Sequence, residues 1–228
     1  IAKIWVYAET DGEKPHSSTL ELLTKARELG DAVEAVYVGA DAASLAGPLG
    51  EHGATTVYAV DPGDALHGVV GAAALKELAG AHQPDLILFA QSYDGRDAIA
   101  RLSAVLDRPV ITNGTALRVD GDRVIVGTAA FGGNTLVDTA FTGPGPFLAA
   151  IRPKSFPAEP SGGGAATVET VAVPEAGRAG AAKVLARHVE EREGPKLEEA
   201  AVVVSGGRGL GSAEAYGPLV EEPAKLLH

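Results

Sequence analysis

The feature that most narrows what this chain can fold into is an alternation in its first hundred residues. Short β-rich runs take turns with stretches of helical periodicity, each the length of one element. Lys3–Ala8 (KIWVYA) is the first such run. A polar turn follows, and Ser17 or Ser18 can cap a helix with Leu20, Leu23 and Ala26 on its apolar face and Gly30 as its stop. Ala32–Gly39 is the second strand, Asp41 can cap a short helix to about His52, and Thr55–Val60 is the third strand. Residues 64–81 are Ala/Leu-rich and predict a helix. Pro84–Ala90 (PDLILFA) is the fourth strand, apolar throughout, as a strand covered on both faces must be. A helix follows from Asp94, its predicted cap, to Leu106, with Ile99, Leu102 and Leu106 inward. Strands separated by helices form crossover units, which predicts a parallel sheet.

After Pro109 the spacing shortens. GTALRV and RVIVGTAA read as a hairpin around Asp120–Asp122, FGG as a second turn, LVDTAF as a strand, GPGP as a third turn, and FLAAIRP as a strand ending at Arg152. No crossover helix fits between these segments, so antiparallel pairing is expected among all of them. The predicted fold class is α/β, with a mixed, mostly parallel sheet and flanking helices. Residues 155–165 predict a loop, Thr167–Val173 an edge strand and Ala176–Glu193 an amphipathic helix. Glu190–Glu199 is a charged break containing Gly194 and Pro195. The expected organisation is a first domain over 1–193, a linker over 194–200, and the opening of a second α/β domain over 201–228. About 28 residues cannot enclose a core alone.

Charge and composition exclude several functions. Nineteen basic against thirty acidic residues give a net charge of −11. That argues against nucleic acid, whose binders neutralise phosphate with a basic face, and against an anionic membrane surface. No run approaches the roughly 18 apolar residues of a membrane span. Cysteine is absent, which excludes disulfide, thiolate-metal and cysteine-nucleophile chemistry. With no targeting signal at the N-terminus, a cytoplasmic location is expected. The six histidines show no metal-ligand spacing. Trp5 is expected to pack in the core or an interface, and Arg152 to form an inter-subunit or sheet-end ion pair or a link to the second domain. Ser92, Asp94, Arg96 and Asp97 follow strand four, where such sheets bind ligands, but a helix cap with surface charges is the favoured reading, since Asp94 before a helix is an ordinary cap.

The sharpest candidate site is Val202–Ser212 (VVVSGGRGLGS). An apolar strand runs into a glycine-rich turn, and a helix is predicted after it. Bare amides at a helix N-terminus attract anions. Glycines let a ligand approach the backbone. Arg208 adds a charge with a planar fork of donors. Two phosphate-binding motifs fail in detail. Gly206 and Gly211 have the Walker A separation, but Ser212 follows without the lysine. The dinucleotide fingerprint fails because its third glycine falls on Ser212. The residues alone leave open a cofactor turn and a purely tight turn.

The segment VVVSGGRGLGSAE is similar to the opening of the second domain in the alpha subunits of electron-transfer flavoproteins. The resemblance extends in order along the chain through Ala8–Glu9, Ser92–Asp97, the AFGGN turn (Ala130–Asn134) and AAIRPKSF (Ala149–Phe156). It implies a first domain of the adenine-nucleotide-hydrolase-like type with no cofactor of its own, packed on a beta subunit that carries AMP. It implies a second domain that binds FAD, mostly through residues absent from this chain. Arg208 matches the arginine beside the flavin, and Ser205, Gly206, Gly207 and Gly209 the turn presenting it. The implied function is electron carriage, without a substrate reaction, from acyl-CoA and related dehydrogenases to a flavoprotein-quinone oxidoreductase. The alternative from another class is a stand-alone nucleotide-binding module of the universal-stress type. It would need a phosphate loop within the first 150 residues, where Gly132–Gly133 is short and lies after the parallel half.

Overall fold

The structure, a computed structural model, describes residues 1–12, 14–186, 197 and 200–227. The chain divides into two compact units, Ile1–Leu185 and Ala186–His228.

The first unit begins with β1 (Lys3–Ala8), a small antiparallel pair of β2 (Thr10–Asp11) and β3 (Lys14–Pro15), and α1 (Ser17–Leu29). Then come β4 (Ala32–Val38), a 3-10 turn leading into α2 (Ala46–Glu51), β5 (Thr56–Val60), α3 (His67–His82), β6 (Leu86–Ala90) and α4 (Tyr93–Leu106). The later strands are β7 (Val110–Asp120), β8 (Arg123–Ala130), β9 (Thr135–Ala140), β10 (Phe147–Ile151) and β11 (Thr167–Thr170). Nine of them form one sheet in the order β11-β5-β4-β1-β6-β10-β7-β8-β9, parallel from β11 to β7 and antiparallel from β7 to β9.

Period-two alternation along β1 builds both halves of the core. Ile4, Val6 and Ala8 pack with Leu22, Leu23 and Ala26 of α1 on one face. Trp5 and Tyr7 pack with Leu75 of α3 and Leu102 of α4 on the other. Trp5 is fully buried, as expected for a core residue, and its indole Nε1 donates to Glu34 Oε2 at 2.7 Å. Lys3 Nζ sits 3.6 Å from the same carboxylate oxygen, so the charge that β4 carries inward is met from two sides.

Four details differ from the sequence expectation. β10 is not the last strand of an antiparallel meander. It inserts between β6 and β7 and is parallel to both. Leu148–Ile151 are buried. A run of small apolar residues covered on both faces belongs in the sheet centre, so β7 leaves that slot open and β10 returns to fill it. α1 is capped by the His16 side chain, which accepts from Ser18 N, rather than by Ser17 or Ser18. α4 is capped by Ser92, whose Oγ accepts from Gly95 N at 2.8 Å, leaving Asp94 in the first turn. The helix expected over 176–193 is, in its described part, a 3-10 turn (Gly177–Ala181). Gly177, at φ 56°, opens it outside helical space. Asp64 then pins the chain by accepting from Val184 N at 2.8 Å and pairing with Lys183. Residues 187–193 of that expected helix lie outside the described residues.

The described part of the second unit has little regular structure. A 3-10 turn (Arg208–Leu210) precedes a π-turn (Gly217–Glu221) that continues into the short α5 (Glu222–Lys225). Ala201–Ser205, expected as a strand, pairs with no described segment. Val202 and Val203 are more than half exposed. A strand exists through its neighbour's hydrogen bonds, and nothing described here supplies them.

Candidate functional site

The five sequence-predicted residues lie together in the second unit. Gly206, Gly207 and Arg208, with Leu210, Gly211, Ser212, Ala213 and Tyr216, line a concavity of about 470 Å³. Ser205 and Gly209 are their exposed chain neighbours. Leu210 N donates to Gly207 O at 3.0 Å and Gly211 N to Arg208 O at 3.2 Å, which closes the turn around Arg208. The Arg208 guanidinium is exposed and has no hydrogen-bond or ion-pair partner among the described residues.

The glycines serve different ends. A Cβ on Gly206 would reach within 2.5 Å of Leu210 Cδ1 and 2.8 Å of Val220 Cγ2, so Gly206 lets the turn pack on the unit's own apolar side chains. Gly211, at φ 83°, meets the backbone need for a left-handed residue. Gly207 and Gly209 do neither. Neither has a positive φ, and a Cβ on either would meet no atom of the described residues within 4 Å. Open space beside bare backbone, and a guanidinium without a partner among the described residues, leave room for an anionic ligand at this turn.

One expected element is missing. Helical structure resumes only at Gly217, with Pro218 and Pro223 at the starts of its two segments. Gly207 caps only the single 3-10 turn Arg208–Leu210, and no α-helix N-terminus follows it directly among the described residues. Positive potential at the turn comes from Arg208 and the turn amides instead of a helix dipole. Tyr216 on the rim was missed in the sequence, where nothing sets it apart. Nearby, a hydrogen bond from Ser212 holds the Glu214 carboxyl below the usual carboxylate range.

The second place to test is the first unit's topological switch, where α1 and α4 leave β1 and β6 in opposite directions. Ligands of open α/β sheets bind there. Here the crevice is filled by carboxylates and their supports. Glu9 accepts from Ser92 Oγ at 2.8 Å, and Ser92 Oγ also caps α4. A Cβ on Gly95 would collide with Ala90 O and approach Glu9 Oε1 within 2.9 Å. Asp97 pairs with Arg101 at 2.9 Å, and the Arg96 guanidinium lies 4.9 Å from the Tyr93 ring centre. Burial, reinforced by Asp94, pushes Glu9 up to about 7 against the lowering effect of the Ser92 bond. Burial and the negative charges of Glu9, Asp94 and Asp97 also push the Tyr7 phenol up. A crevice filled by these acidic side chains does not favour phosphate, which counts against the stand-alone nucleotide module. The stretch Ser92–Asp97 is thus accounted for by helix capping and sheet packing.

The remaining sequence signals resolve similarly. In the AAIRPKSF stretch, Arg152 N donates to Gly114 O at 2.8 Å and Lys154 N to Glu21 Oε2 at 2.7 Å, tying the end of β10 to β7 and α1. Arg152 forms no ion pair among the described residues, so the sheet-end form of its expected pair is not seen, while the inter-subunit form and the link to the second domain are not tested by a single chain. No group of three or more histidine, aspartate or glutamate residues among those described could hold a metal ion. No described helix is long and apolar enough to cross a membrane.

Comparison with known proteins decides the family. The family model described as "Electron transfer flavoprotein domain" matches residues 4–176. The chain belongs to the electron transfer flavoprotein family. It is 31% identical over 230 aligned positions to the electron transfer flavoprotein subunit alpha of Syntrophomonas wolfei, covering all of this chain and 71% of that protein. The Mycobacterium leprae subunit alpha is 34% identical over 207 positions, 86% of this chain and 61% of its own length. Protein FixB of Clostridium saccharobutylicum is 30% identical over 233 positions, 98% of this chain and 69% of its own. An electron transfer flavoprotein's place is in electron transport, and the mixed α/β sheet described above is consistent with that family's domain.

Proposed function

We propose that the chain is the alpha subunit of a heterodimeric electron transfer flavoprotein, and that residues 201–228 open its FAD domain. The alignment of alpha subunits over the whole chain supports this reading. The observation that carries it is Arg208, without a partner among the described residues, beside Gly207 and Gly209, two glycines whose bare backbone no described contact requires. Bound FAD would supply a ring able to take up and return electrons, held mostly by residues outside this chain. Arg208 is the chain's own contribution to that chemistry. A fixed guanidinium close to the ring favours negative charge there over the neutral state, and so favours reduction. Gly207 and Gly209 let the ring or its phosphates reach the backbone amides. Gly206, packed on Leu210 and Val220, sets the turn, and Ser205 offers a hydroxyl at its entrance.

On this reading the first unit holds no cofactor and serves as the surface for the beta subunit, which carries AMP. The electrons come from acyl-CoA and related dehydrogenases and pass to a flavoprotein-quinone oxidoreductase in the cytoplasmic compartment. The subunit itself makes and breaks no substrate bond. The test is co-expression of the complete polypeptide with the beta subunit, followed by absorption at roughly 450 nm, where oxidised flavin absorbs. A yellow heterodimer that reduces reversibly and turns over no nicotinamide is expected. A colourless complex that stays so when FAD is offered overturns the proposal.

A further inference from the structure

A polar cluster inside the first unit is used neither by the cofactor site nor by the capping network. Strand register builds it. Trp5 of β1 stands opposite Glu34 of β4, and Tyr58 of β5 stands opposite Val36, two residues along β4 from Glu34. Alternation therefore sets Trp5, Glu34 and Tyr58 on one face of the sheet, where His82, the last residue of α3, packs over the two rings. The Trp5 and Tyr58 ring centres are 5.6 Å apart. The His82 ring lies 4.9 Å from Tyr58 and 6.1 Å from Trp5.

The polar atoms of these rings converge as well. Trp5 Nε1 donates to Glu34 Oε2 at 2.7 Å. The Tyr58 hydroxyl reaches the same oxygen at 3.3 Å and His82 Nδ1 at 3.2 Å. Lys3 Nζ also faces Glu34 Oε2, at 3.6 Å, so His82 is the less committed base. Imidazole is the side chain that takes up a proton near neutral pH. Trp5 and Tyr58 are buried, whereas His82 is half-buried and open to proton exchange with water. Burial, with the charges of Glu34 and of Glu169 opposite on β11, pushes the Tyr58 phenol up to about 12. At neutral pH its proton therefore leaves only when the ring is oxidised. Ring packing alone needs neither a hydroxyl at 58 nor an imidazole at 82.

We propose that Trp5, Tyr58 and His82 form a one-electron relay that moves an oxidising equivalent from the core to the end of α3. The oxidant is a one-electron-oxidising radical, which takes an electron from the Trp5 indole and is itself reduced to its anion. The indole N–H proton passes to Glu34 Oε2. Tyr58 then gives an electron to the indolyl radical, which recovers its proton from Glu34, while the phenol proton moves to His82 Nδ1. A Tyr58 phenoxyl radical remains beside a His82 imidazolium. One electron from a soluble reductant, with the proton held by His82, restores the phenol.

Trp5 is the chain's single tryptophan, which makes the test selective. Laser photoionisation of the purified chain at the red edge of the indole band, with a scavenger for the ejected electron, generates the Trp5 radical. Transient absorption then follows the indolyl and phenoxyl bands. Indolyl should convert into phenoxyl in the wild type and equally in Tyr7→Phe, a control at another buried phenol, on β1. Tyr58→Phe should keep the indolyl radical and form no phenoxyl. His82→Asn, polar but no base, should slow conversion by about 100-fold, the contribution of a positioned base. Should Tyr58→Phe fail to fold, the wild type decides in D2O: slower conversion than in water is expected, and equal rates overturn the coupled proton step. Phenoxyl formed equally in Tyr58→Phe, no phenoxyl in the wild type, or an unchanged rate in His82→Asn also overturns the relay.

Discussion

Replacing Glu9 by glutamine should stabilise the first unit at alkaline pH and leave it nearly unchanged in acid. Glu9 directly follows β1, and its carboxyl is pushed from about 4.5 up to about 7, chiefly by burial. The folded state therefore holds a proton that the unfolded chain has already lost between those two values. Stability attributable to Glu9 is intact below roughly pH 4.5 and falls as pH rises through about 7. At about 1.4 kcal/mol per unit, the native state bears a penalty of about 3 kcal/mol above pH 7. Glutamine keeps an oxygen for the Ser92 hydroxyl and never ionises.

The advantage of the Gln variant should thus grow by about 2–3 kcal/mol between roughly pH 5 and pH 8. With a urea dependence of about 2–3 kcal/mol per molar, that moves the midpoint apart by about 1 M. The chain's single tryptophan is Trp5, buried in the first unit, so its fluorescence reports this unit and not the second. Comparing the two chains at each pH cancels every other titrating group. A gap that stays constant from acid to alkaline pH would refute the assignment of a buried, proton-holding carboxyl to Glu9.

Other substitutions test the remaining contacts. Arg208→Ala in the FAD-loaded heterodimer should lower the flavin's midpoint potential by tens of millivolts, on the scale of about 59 mV per tenfold for one electron, and Arg208→Lys by less. Potentiometric titration reads both. Gly207→Ala and Gly209→Ala should change folding stability by less than about 0.5 kcal/mol, yet weaken FAD retention measured by dialysis; Gly206→Ala, which meets Leu210 and Val220, should destabilise the turn itself. Gly71→Ala should cost about 1–3 kcal/mol in thermal unfolding, because the new methyl would meet Tyr7 OH at 2.8 Å where α3 crosses the sheet. Trp5→Phe leaves the Glu34 carboxylate short of a donor in the core and should cost about 2–3 kcal/mol.

The parallel half of the fold was legible because one physical rule governs it. A strand covered on both faces must be apolar, so LILFA announced β6, and helical spacing of Ile99 and Leu102 announced α4. What escaped was the neighbour relation. The placement of β10 depends on a gap that β7 leaves beside β6, and no residue of FLAAI states which strand will flank it. Short connections suggested antiparallel pairing, but the six residues between β9 and β10 are enough to carry the chain back to the sheet centre. Caps were misread for a related reason. His16 and Ser92 outcompeted Ser17, Ser18 and Asp94 through side-chain geometry that a list of capping preferences does not contain.

At the candidate site the sequence located the residues but misassigned part of the physics. A strand and a helix were expected to frame the turn and lend it a dipole. Neither frames it, since Ala201–Ser205 has no described strand beside it and the helical segment starts at Gly217. The turn's capacity to hold negative charge therefore falls on Arg208 and the exposed amides. An unpaired guanidinium in open solvent is a weak electrostatic device, because water screens it. It becomes a strong one only when the group it faces excludes that water. On the proposed reading, the exposure of Arg208 and the open space around Gly207 and Gly209 would both be covered by one large, flat partner. A small phosphate would satisfy the charge and leave the glycines open. On the flavin reading proposed above, a ring lying across the turn would satisfy both.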